Sequence, residues 1–163
     1  MFAMTATVCE GWGTDATVKL RLSTKGGDGC FTNDLDDRWN NWKAGSTRTW
    51  LRNDGILGSG NYLGNCKSFR PTERLQAKFV LRERWGQELD APDLMKICKL
   101  TVSFGKGSSK KEGREQWEWS GEKIVSSRDE ESENWLKLVQ VPYSPHPLSL
   151  ENQIWPICPL DFC

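Results

Sequence analysis

No stretch of this chain long enough for a globular helix carries a capped 3.6-residue apolar period; short alternating runs broken by turns stand in its place. Residues 17–22, Thr-Val-Lys-Leu-Arg-Leu, alternate strictly, which sets Val18, Leu20 and Leu22 on one face of a half-buried strand. The same period returns at 75–82 through Leu75, Ala77, Phe79 and Leu81, and at 116–120 with Trp117 and Trp119 on one face. Further strands are predicted at 5–9, 47–51 and 93–104, the last through Ile97, Leu100, Val102 and Phe104, with a final strand over 135–141. Glycine and polar clusters at 10–13, 25–29, 44–46, 54–64 and 105–113 supply the turns. Strands separated by turn signals every 8–12 residues or so predict an all-β, antiparallel β-sandwich. We place it over residues 1–141. Beyond it, 142–163 is a predicted irregular tail holding Pro142, Pro145, Pro147, Pro156 and Pro159.

Composition removes several function classes. Lys plus Arg and Asp plus Glu each number 22, so the chain lacks the basic surplus that a duplex-binding protein uses to displace counterions, and no nucleic-acid partner is expected. No apolar run approaches the roughly 20 residues of a membrane span. The first residues lack a charged segment followed by an apolar one, so a secreted form is expected to have lost its signal already. The one histidine, His146, lies between Pro145 and Pro147 in an extended setting, which disfavours Ser–His and Cys–His pairs and histidine-rich metal sites. With no nucleophile–base pair and no phosphate loop in view, the chain is not expected to be an enzyme.

The six cysteines are Cys9, Cys30, Cys66, Cys98, Cys158 and Cys163. None has the spacing of a zinc or redox motif, and sequence does not choose among their pairings. An even number fits disulfides and an extracellular or secreted location; buried free thiols are the alternative. If the first four belong to the sandwich, at least one bridge is expected to tie the tail to the domain or to itself.

The order of these features resembles a PLAT domain, the β-sandwich of animal lipoxygenases and pancreatic-type lipases. The opening run 5–22, with Gly-Thr-Asp-Ala at 13–16 ahead of the second strand, is similar to the start of that family. So are Gly27-Asp-Gly-Cys30, Leu35-Asp36, the run from Trp39 to Gly45, Leu63-Gly64, and the strands flanking the 85–93 loop. The resemblance covers roughly residues 4–140 and rests on colinear order rather than on one sharp motif. Residues 52–72 are longer than the usual connection, the tail has no counterpart, and six cysteines exceed the family norm.

The resemblance implies a partner- or membrane-binding tip. Trp12 lies between Gly11 and Gly13, and Trp85 between Arg84 and Gly86; both match loop tryptophans that enter bilayers in lipoxygenase PLAT domains. Trp39 is added to this set, whereas Trp42 is expected in the core. The competing reading folds each loop tryptophan back on the sandwich. The resemblance also implies calcium ligands at Gly13, Thr14, Asp15, Asn40, Asn41 and Asp90 or Asp93. Asn41 and Lys43 stand where acids are usual, so affinity for a divalent ion is expected to be weakened. A basic set, Lys106, Lys110, Lys111 and Arg114, is predicted at a hairpin tip. Two functions remain: an interaction module of an extracellular assembly or oligomer, binding a protein or a lipid surface through aromatic loop tips, or a calcium-assisted lipid-targeting domain of a larger enzyme or receptor.

Overall fold

In a computed structural model of the chain, residues 1–35, 42–52, 61–82, 91–105, 114–130 and 134–142 are described. The fold is all-β: two antiparallel sheets packed as a sandwich. The strands are β1 (Ala3–Val8), β2 (Thr17–Thr24), β3 (Gly29–Phe31), β4 (Thr47–Leu51), β5 (Leu75–Arg82), β6 (Leu94–Phe104), β7 (Glu115–Ser126), β8 (Leu136–Lys137) and β9 (Val139–Val141). One sheet has the order β4-β1-β6-β7-β9 and the other β3-β2-β5-β8.

The alternation read from sequence is the burial seen in space. Along β2, Val18, Leu20, Leu22 and Thr24 are buried and their neighbours half-buried. These residues meet Leu81, Phe79, Ala77 and Leu75 of β5 in register, so two apolar faces coincide without a slip. Between the sheets, Trp42 stacks on Trp50 with centroids 5.1 Å apart, and Phe79 meets Trp42 edge-on at 5.8 Å. Trp42 is a core residue, as expected; Trp117 and Trp119 are only partly buried against that core.

Three features differ from the expectation. The single last strand over 135–141 is two, β8 pairing with Gln76 and Ala77 of one sheet and β9 with Gln116–Glu118 of the other. Leu136 and Leu138 are both buried, so the alternation is the same whichever sheet receives the strand, and the change of sheet leaves no mark in the pattern. The strand expected at 116–120 continues to Ser126. β3 lies at the edge of the 25–29 turn, and a 3-10 turn over Gly64–Ser68 follows the buried Leu63. Gly64 begins that turn at φ +54, where a Cβ would lie 2.8 Å from the Phe31 carbonyl oxygen.

Two disulfides close the sandwich. Cys9–Cys98 joins the loop after β1 to β6 where β6 departs from regular register, and Cys30–Cys66 joins β3 to the 3-10 turn. All the described cysteines are paired. Cys158 and Cys163 lie outside the described residues, as do His146, the 143–163 part of the tail and the basic residues Lys106, Lys110 and Lys111.

The chain changes sheets repeatedly, and this gathers its crossings at two ends. Thr17 pairs with Arg82, Thr7 with Thr47, Val8 with Ile97 and Leu94 with Ser126, all toward one end. Thr24 pairs with Leu75 and Gln116 with Val141 toward the other.

Candidate functional site

The first end holds the β1–β2 crossing, which contains Trp12. Its backbone is bound to the sheet on both sides: the Trp12 N–H donates to the Cys9 carbonyl at 3.3 Å, and the Lys96 N–H to the Trp12 carbonyl at 3.2 Å. The Cys9 N–H donates to the Lys96 carbonyl at 2.9 Å, and the disulfide to Cys98 fastens the same residue. The indole is therefore half-buried. Lys96 Nζ lies 4.6 Å from its ring centroid and 3.0 Å from Glu122 Oε1, so ring, ammonium and carboxylate form one row across β6 and β7.

Gly13 and Thr14 have structural duties here. A Cβ on Gly13 would lie 2.5 Å from the Ala44 nitrogen and 2.7 Å from the Trp42 carbonyl oxygen, so only glycine lets the crossing approach the 42–46 segment. The Thr14 N–H donates to the Trp42 carbonyl at 2.9 Å, and Thr14 Oγ1 accepts from the Ala16 N–H at 3.0 Å. Asp15 is exposed beside them. Among the described residues no group of three or more His, Cys, Asp or Glu side chains is placed to hold a metal. Asn40, Asn41 and Asp90 of the expected calcium set lie outside the described residues, as do Trp39 and Trp85. Asp93 is described, and its N–H donates to Ser127 Oγ, just after β7, at 3.0 Å.

The same end receives the termini of two further connections. The Leu35 N–H donates to the Val18 carbonyl at 2.8 Å, and Trp42 receives the Thr14 bond, so the chain leaves and re-enters there on either side of 36–41. Arg82 and Leu94 likewise bracket 83–93 at this end.

At the opposite end a groove of about 670 Å³ is lined by Thr24, Lys25, Arg74, Leu75, Gln76, Lys137, Leu138 and Val139. Sequence reasoning missed it, since its three cations lie far apart in the chain. Nearby, the Met1 ammonium donates to the carbonyls of Cys66, Lys67 and Phe69. Burial, with Arg52 and Arg70 adding like-charge repulsion, pushes its pKa down to about 5.

A third place, on the outer face of the smaller sheet, is a cationic row that the sequence also left unmarked. Arg21 lies 4.9 Å from the Phe31 ring centroid and 5.5 Å from that of Trp135, and its cross-strand partner Lys78 is buried, its ammonium donating to the Glu130 carbonyl.

Among the described residues no helix is long and apolar enough to cross a membrane. No family model, no curated protein and no solved structure matches the chain.

Proposed function

We propose that this β-sandwich is a non-catalytic, PLAT-like interaction module of an extracellular assembly, and that the end bearing Trp12 meets its partner. The observation that carries this reading is the convergence of the β1–β2 crossing with the termini of 36–41 and 83–93 at that end. The PLAT-like order places its aromatic and ligand-bearing loops in these three connections. A half-exposed indole with a charged neighbour is also the kind of group that becomes an anchor when a partner covers it. Two disulfides support an oxidising compartment, where such crosslinks persist. A protein surface is the favoured partner, because the expected calcium loops carry Asn41 and Lys43 in place of acids.

The test separates the two surfaces. Trp12→Ala and Trp85→Ala are compared with the parent in vesicle sedimentation, with and without calcium, and in light scattering. Calcium-dependent sedimentation lost in both variants assigns the end to lipid. Self-association lost in both variants assigns it to a protein partner, here a second copy. If both variants sediment and scatter as the parent does, the Trp12 end is not the binding surface.

A further inference from the structure

We infer a second binding site at the opposite end, a cationic groove that takes an oligosaccharide bearing sulfate groups. Lys25 follows β2, Arg74 precedes β5, and Lys137 lies in β8; the pairing of Thr24 with Leu75 and of Gln76 with Lys137 brings all three around one groove. Each is exposed, and none forms an ion pair within the described residues. Asp28 and Glu73, the described acids nearest in sequence to Lys25 and Arg74, are exposed and do not pair with them. Among the described residues no acidic side chain lines the groove. Three unmatched cations around one concavity leave a positive field that an anion completes.

The lining decides which anion. The groove, at about 670 Å³, falls within the roughly 300–1,000 Å³ of ligand-sized sites, so it accepts an extended molecule rather than a flat membrane. A protein partner is normally held by aromatic or apolar anchors at the centre of the contact. Here Leu75 and Leu138 are already buried in the sandwich, and among the described residues no aromatic lines the groove and Val139 alone of the apolar lining side chains is exposed. The half-buried Gln76 adds an amide of the kind sugar hydroxyls bond, whereas Thr24 is buried and its hydroxyl donates to the Asp28 carbonyl. The choice of a sulfated sugar rests on the extracellular setting proposed above, which the two disulfides support. This site shares no residue with the Trp12 end, so either proposal can fail alone.

Calorimetry with a heparin-derived tetrasaccharide tests it, against the same tetrasaccharide after desulfation, a hexaglutamate peptide and phosphatidylserine vesicles. Saturable binding is expected for the sulfated sugar, weakening with salt, and at least about tenfold weaker for the desulfated one. Lys25→Gln, Arg74→Gln and Lys137→Gln are each expected to weaken it by about tenfold with an unchanged melting temperature. Absence of saturable binding overturns the proposal, as does undiminished affinity in the three variants. Equal or tighter binding of hexaglutamate assigns the groove to an acidic protein and overturns it too, and so does capture by the vesicles alone.

Discussion

The two ends of the sandwich are built from the same strands and differ in how their polar groups are matched. At the Trp12 end, nearly everything described is tied down: the Trp12 backbone carbonyl to the Lys96 N–H, the Lys96 ammonium to Glu122, Thr14 to Trp42, and Cys9 to Cys98. At the other end, Lys25, Arg74 and Lys137 surround a groove with no acid among its described lining residues. A matched, crosslinked end presents a fixed shape. An unmatched end presents a field, and fields select ligands by charge more than by fit.

The contrast makes stability and binding separable, and the variants rank accordingly. Trp42→Ala removes a fully buried ring that stacks on Trp50 behind the Trp12 end, and a loss of about 3–5 kcal/mol is expected in denaturant unfolding. Replacing Cys9 and Cys98 together by Ser opens a crosslink between residues 89 apart and is expected to cost about 3 kcal/mol. Peptide mapping of the unreduced protein should find Cys9 linked to Cys98 and Cys30 to Cys66; another pairing of these four would break the account of the Trp12 end. Gly13→Ala drives a Cβ into the backbone of the 42–44 segment, and about 2 kcal/mol is expected. Trp12→Ala loses a half-exposed ring and its contact with Lys96, about 0.5–1 kcal/mol. A thermal melt showing a loss as large as that for Trp42→Ala would make Trp12 part of the core and end its role as an anchor. The smallest effect is expected from Lys25→Gln, Arg74→Gln and Lys137→Gln, each within about 0.5 kcal/mol, since exposed cations without partners hold nothing together.

Some of this was legible beforehand. Residues 75–82 and 17–22 were readable as strands because a sheet with one face on the core must alternate, and the structure then sets their apolar faces in register. Trp42 was expected in the core because it matches the buried aromatic before Gly45 in the run that resembles a PLAT domain, and the structure buries it. Less was visible at the sites. Gly13 was read as a calcium ligand position, and the structure gives it a steric duty that depends on a backbone 30 residues further on. Lys96 carries no signal in sequence that it lies beside Trp12, because their contact comes from β1 and β6 being neighbours.

What the amino-acid order determined by itself is local: the period of each longer strand, the turns between them, the neutral charge and the number of cysteines. The strands and turns follow from dihedral preferences and from burying one face, both of which act over a few residues, and the charge and cysteine number are composition. Only the tertiary structure decided that 135–141 splits between two sheets, that Cys9 meets Cys98 and Cys30 meets Cys66, and that cations from 25, 74 and 137 share a groove. Each of those is a contact between distant segments. Such contacts are set by which strands become neighbours, and that is chosen by the packing of the whole core, which no short stretch of sequence encodes.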